Sequence, residues 1–227
     1  EKGNYADFML KEIFEQPKSI RETIGSRVVK NARIQIDELD ISKEYLQNVD
    51  RIYIVACGTA MYAGMTAKKI LEKYCRIQTE VDIASEFRYR NPLITDRTLC
   101  IYISQSGETA DTIAAMRKAK ENKIDTLAIV NVKTSTIARE SDYKIFIEAG
   151  KEIAVATTKA YLLQVTIFSL LAYFSSINKH ILKEINLKEE EKNILSHLKN
   201  ILEQRKKYYE IAKKIFQEED IYFIGRG

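Results

Sequence analysis

Apolar positions recur near helical spacing at Phe8, Met9, Ile13, Phe14, Ile20 and Ile24, predicting a helix over 6–24 that Pro17 should kink or divide. A weaker helical pattern runs from Val28 to Leu39. The texture then changes. Arg51 to Cys57 is a short, β-branched apolar run closed by Gly58, as expected of a strand buried on both faces in a parallel sheet. Similar runs predict strands over 78–83, 99–104, 125–130 and 143–147, with helices over 60–74, 109–122, 157–178 and 193–217. Strands alternating with helices imply βαβ units. The expected fold is α/β, a flavodoxin-like doubly wound five-stranded parallel sheet with helices on both faces. The strand order 2-1-3-4-5 comes with that class, not with the periodicity.

One echo breaks the progression. Asp50-Arg-Ile-Tyr-Ile-Val-Ala-Cys-Gly58 is matched by Asp220-Ile-Tyr-Phe-Ile-Gly-Arg-Gly227, each an Asp, an apolar run and a glycine turn after a helical stretch. A duplicated domain, its second copy cut after the first strand, accounts for the match; chance similarity of two short strands is the alternative. The 227 residues amount to roughly one and a half domains. The chain starts at Glu1 and stops on Gly-Arg-Gly, so a piece of a longer protein is expected. The organisation expected is a helical lead-in over 1–48, a complete domain over 49–185, and a helical connection with the first strand of a further domain over 186–227.

Composition narrows the partners. Lys and Arg number 36 against 32 Asp and Glu, a net charge of +4, and the two signs are interleaved, which argues against a nucleic-acid binder. Cys57, Cys75 and Cys100 are odd in number and widely spaced, so neither metal ligation nor a disulfide framework is expected and a reducing cytoplasm fits. Ala160 to Ile177 carries no charge over about the minimum length of a membrane span. Gln164, Thr166, Ser169, Ser175 and Ser176 within it favour a core or interface helix and no membrane.

In an open parallel sheet, ligands sit beyond the carboxyl ends of the strands where the order reverses. That directs attention to Cys57-Gly-Thr-Ala60 after the first strand and Ser104-Gln-Ser-Gly-Glu-Thr109 after the third. The second reads as an anion cradle. A helix N-terminus offers free N–H groups and a positive dipole end. Gly107 permits a tight turn, Ser104, Ser106 and Thr109 add hydroxyls, and Gln105 adds an amide. Without a P-loop Lys or GxGxxG, nucleotide cofactors are disfavoured and a phosphate monoester of a small polar molecule fits. The plain alternative is a helix cap at Ser106 or Thr109. Glu152-Ile-Ala-Val-Ala-Thr-Thr-Lys159 is a third candidate, with Thr157 or Thr158 facing sugar hydroxyls or simply capping the next helix, and Lys159 expected in solvent. Cys57 reads as a small buried filler, and His180 and His197 as surface residues.

Five segments now carry a resemblance. Ala56-Cys-Gly-Thr59, Ile83-Ala-Ser-Glu-Phe-Arg-Tyr-Arg90, Ser104 to Thr112, Ala138-Arg-Glu-Ser-Asp142 and Ala154-Val-Ala-Thr-Thr-Lys-Ala-Tyr161 resemble, in order and spacing, the isomerase half of the glutamine–fructose-6-phosphate aminotransferase family. Phe8 to Pro17 is similar to the segment joining that family's glutaminase half to its isomerase half. The resemblance implies the first of two SIS (sugar isomerase) domains and a cytoplasmic homodimer without a cofactor or metal. It also implies a glutaminase domain in the full-length chain. Ser104, Gln105, Ser106 and Thr109 would hold the phosphate of fructose 6-phosphate or glucosamine 6-phosphate, with Thr59 nearby and Val155 and Thr157 along the sugar. Ala60 and Thr157 stand where the family often has Ser, and Ala154 where it often has Gly. The family's Schiff-base Lys, base Glu, ring-opening His and glutaminase Cys have no matching position, so binding without turnover is expected. A non-catalytic sugar-phosphate sensor or regulatory SIS module is the alternative.

Overall fold

The computed structural model describes residues 2–28, 34–36, 39–90, 92–183 and 185–225. The five apolar runs pair into one sheet. β1 (Arg51–Ala56), β2 (Gln78–Ile83), β3 (Thr98–Ser104), β4 (Asp125–Val130) and β5 (Tyr143–Phe146) are all parallel, in the order β2-β1-β3-β4-β5. Register is continuous through the middle: Ile54 pairs with Val81 on one side and Ile101 on the other. Every residue of β3 is buried, because helices cover both faces of the sheet.

Around it lie α1 (Phe8–Gly25), α2 (Lys43–Asn48), α3 (Gly58–Tyr74), α4 (Ala84–Phe87), α5 (Ala110–Glu121), α6 (Thr136–Glu140), α7 (Lys159–Asn178), α8 (Leu187–Glu203) and α9 (Arg205–Ile215). Alternate side chains of each strand feed two cores. Ile52, Ile54, Ile101, Ile103 and Ile129 meet α1, α3 and α7; Val55, Tyr102 and Val130 meet α4, α5 and α6. Each fully buried aliphatic side chain stabilises the fold by about 1.5–3 kcal/mol, so these strands place the sheet firmly. The three shortest helices escape pattern reading, since one turn or two carries too little periodicity.

The N-terminal segment is part of this core. Asp7 caps α1 by accepting the Leu10 N–H at 2.7 Å. Pro17 does not divide the helix: one missing hydrogen bond is outweighed by Ile20 and Ile24, which are buried in the core. Thr23 Oγ1 donates to the Ile147 carbonyl at 2.8 Å, and Arg27 Nη2 to the Phe146 carbonyl at 2.6 Å, fixing the end of α1 to the end of β5. The helix expected over 28–39 is not found in its described part. Val28 bridges Ile34 in antiparallel fashion and the Gln35 N–H meets the Arg27 carbonyl at 2.8 Å. Residues 29–33 and 37–38 lie outside the described residues. Ile36 and Leu39 are buried in the same core cluster, and the Leu39 N–H meets the Ile36 carbonyl at 3.0 Å in a single turn.

α7 is the one described helix long and apolar enough to cross a membrane by length and composition. It packs on α1 and α3, with Leu163, Ile167 and Phe168 fully buried. Beyond it the chain differs from expectation. The charged stretch 183–192 does not simply link elements: α8 starts within it, at Leu187, where the Asn186 side chain accepts the Glu189 N–H. The long helix expected over 193–217 breaks at Gln204 into α8 and α9. Residues 221–225 form no strand; Tyr222, Phe223 and Ile224 are exposed, and a lone extended run has no neighbouring strand to satisfy its backbone. Arg226 and Gly227 lie outside the described residues.

Candidate functional site at the sheet switch point

β1 and β3 are neighbours whose chains continue to opposite sides of the sheet, which opens a crevice at their carboxyl ends. Cys57 and Thr59 enter it from β1, and the Ser104–Thr109 loop enters from β3. Their side chains, with those of Thr157 and Gln164 from the start of α7, line an open pocket of about 160 Å³.

The loop after β3 closes on itself. Ser104 Oγ accepts the Gly107 N–H at 3.0 Å and lies 2.9 Å from Thr109 Oγ1. Ser106 Oγ accepts the Glu108 N–H at 3.2 Å. Gly107 has φ +68°, and a Cβ there would lie 2.1 Å from Ser135 Oγ, so the turn admits no side chain. Backbone contacts brace it from the β4–α6 connection: Asn131 N–H to the Gln105 carbonyl and Ile137 N–H to the Gly107 carbonyl, both at 3.1 Å. Thr109 is the N-cap residue of α5, yet its side chain makes no cap hydrogen bond. The capping alternative therefore fails at Thr109. Its hydroxyl is turned to Ser104, and the first-turn amides of α5 are left for another acceptor.

The nearby carboxylates are drawn elsewhere. Glu108 Oε1 accepts the Thr136 N–H at 2.7 Å, and that backbone hydrogen bond holds its pKa below the ordinary value. Asp111 pairs with Arg88 at 3.2 Å. Among the described residues, the pocket lining contains no Lys, Arg, His, Asp or Glu. It is a neutral cavity of hydroxyls, amides and a helix N-terminus.

The third segment is shaped from a distance. Glu12 on α1, 2% exposed, accepts the Ile153 and Ala154 N–H groups at 2.6 and 3.1 Å through Oε1. Glu152 Oε1 accepts the Thr158 N–H at 3.0 Å and lies 3.5 Å from the Ala160 N–H. A carboxylate, not a threonine hydroxyl, therefore caps α7. Lys159 is not in solvent as expected. It is 3% exposed and its Nζ lies 2.7 Å from Glu15 Oε2, an ion pair that covers the junction of α1 and α7. The sequence shows no partner for Lys159 because Glu15 lies on a distant element.

Thr59, Ser104, Gln105, Ser106, Thr109 and Thr157 thus come together, whereas Val155 lies outside the lining, its side chain fully exposed. Gln164 enters the site although the pattern marked it only as a polar residue in an apolar helix. That polarity was the available signal.

The sequence matches the family described as SIS domain over residues 45–173. The chain belongs to the SIS domain family. The whole of this SIS domain chain aligns with glutamine–fructose-6-phosphate aminotransferase [isomerizing] of Clostridium acetobutylicum, at 46% identity over 230 residues, and of Clostridium tetani, at 49% over 232 residues. It spans 38% of the length of each. Its fold superposes on the C-terminal domain of glucosamine-fructose-6-phosphate aminotransferase from Francisella tularensis with a TM-score of 0.78 and 37% identity, covering 96% of this chain and 59% of that one. This SIS domain is homologous to the isomerase half of those aminotransferases.

Proposed function

We propose that this SIS domain binds a phosphosugar, fructose 6-phosphate or glucosamine 6-phosphate, in the switch-point pocket, as the first SIS domain of a glutamine–fructose-6-phosphate aminotransferase. The observation that carries the reading is a pocket of neutral donors at an uncapped helix N-terminus. The phosphate accepts from the first-turn amides of α5 and from Ser104, Ser106 and Thr109, with Gln105 and Thr59 flanking it. The sugar chain extends toward Thr157 and the backbone at Val155. A lining with no acid or base among the described residues suits holding the substrate, with proton transfer supplied by other parts of the full-length enzyme. In that enzyme we place a glutaminase domain, a homodimer and a cytoplasmic location.

Ligand at about ten times its Kd stabilises a folded protein by about 1.4 kcal/mol, which raises the Tm of a domain this size by about 3–6 °C. Fructose 6-phosphate should produce such a shift, and the double variant Ser106→Ala/Thr109→Ala should abolish it. An unshifted melt of the native protein at millimolar phosphosugar would refute the reading. The neutral lining also suits a non-catalytic sugar-phosphate sensor. Formation of glucosamine 6-phosphate and glutamate from fructose 6-phosphate and glutamine by the full-length protein decides for the enzyme; its absence decides for the sensor.

A further inference from the structure

Gln164 stands on the second turn of α7 beside the buried side chains of Ala160, Leu163 and Ile167. Thr166, Ser169 and Ser176 of this helix satisfy themselves, and Ser175 Oγ, which is unpaired, lies outside the switch-point pocket lining. Thr166 donates to the Leu162 carbonyl at 2.9 Å and Ser176 to the Ala172 carbonyl at 2.6 Å, the local back-bonding open to short side chains. Gln164 has no such outlet. It is 1% exposed, it lines the switch-point pocket, and its Oε1 has no hydrogen-bond partner among the described residues. A buried amide carbonyl left unpaired is unfavourable, and an exception of this kind calls for a group that completes it.

The missing group must donate, and a fully ionised phosphate has only acceptors. A sugar hydroxyl can donate, and it can equally accept from the Gln164 amide if that group turns about its last torsion. We propose that Gln164 reads the sugar: its amide hydrogen-bonds a hydroxyl of the polyol chain, so that the pocket distinguishes a phosphosugar from inorganic phosphate. The inference rests on the phosphosugar reading above and adds a division of labour to it. The loop after β3 takes the anion, and α7 takes the carbon chain.

Calorimetric titration of the native protein and of Gln164→Leu, with inorganic phosphate and with fructose 6-phosphate, tests it. The variant should bind phosphate within about twofold of native and fructose 6-phosphate about tenfold more weakly. Its Tm without ligand should be equal to or above native, since the unpaired amide is gone. Should the leucine variant fail to fold, Gln164→Met takes its place in the same titrations. Unchanged fructose 6-phosphate affinity would mean that the amide holds a fixed water, and an equal loss for both ligands would mean a packing role. Either overturns the proposal while leaving the phosphosugar reading intact. A native protein that binds neither compound removes both.

Discussion

The Ser104–Thr109 loop closes its turn with its own side chains, Ser104 receiving the Gly107 N–H and meeting Thr109 within six positions, and is braced by the neighbouring β4–α6 segment through Asn131 and Ile137. Glu152–Lys159, on the other wall of the crevice, has its own cap at Glu152 but is also held from α1. Glu12 grips its backbone from 141 positions earlier in the chain, and Glu15 takes the charge of Lys159. Both loops present small polar groups at a helix start, so their sequences look alike in kind. They differ in where the restraining partners come from. A turn closed by local hydrogen bonds and braced by the adjacent β4–α6 segment has, among the described residues, no partner on α1 to lose. A loop held by a distant helix can be released by a change that touches neither the loop nor the pocket.

Four substitutions and a titration sharpen that contrast. The largest effect is expected at Gly107→Ala, where positive φ and contact with Ser135 act together. It should destabilise by about 3 kcal/mol in urea unfolding. Gly58→Ala is the control, because Gly58 also has positive φ but nothing within 4 Å of the added Cβ. There only the backbone term remains, about 1–2 kcal/mol. Equal losses at the two positions would remove the claim that the turn is sterically closed.

Next is Glu12→Ala, which leaves two loop amides unpaired and should lower stability by about 2 kcal/mol. Hydrogen exchange should quicken at Ile153, Ala154 and Thr158 and stay unchanged across 104–109. Faster exchange in both loops would mean that they are not independently supported.

The smallest effect is a pH dependence of the Lys159–Glu15 pair. Burial alone would raise the Glu15 pKa, but the hydrogen bond and charge of Lys159, with those of Lys11, outweigh it and the net shift is downward. A carboxyl whose folded pKa lies below its unfolded value binds fewer protons when folded. Its stabilisation is therefore present above the unfolded value of about 4.3 and is lost as pH falls through the folded one. The urea midpoint of the native protein should exceed that of Glu15→Gln at pH 6, and the gap should shrink as pH falls below the unfolded value. A gap with no dependence on pH would assign the effect to packing.

Legibility follows the same division. β1, β3 and β4 are readable because burial on both faces demands short, near-continuous apolar runs. The turn after β3 is readable because its glycine and hydroxyls are adjacent in the chain. Val28 to Leu39 is misleading because its apolar residues reach the core through an antiparallel bridge between Val28 and Ile34 and not through a helix face. Lys159 is misleading because composition near it shows only a cation at a helix start.

The sequence by itself determined the alternation of strands and helices, the position of the glycine turn and the hydroxyls around it, since each depends on residues a few positions apart. Only the tertiary structure decided that Glu12 and Glu15 hold the opposite loop and that Gln164 is buried at the pocket without a partner. Those contacts join elements far apart in the chain. Which groups meet there is set by how helices pack across a sheet, a property that local pattern does not encode.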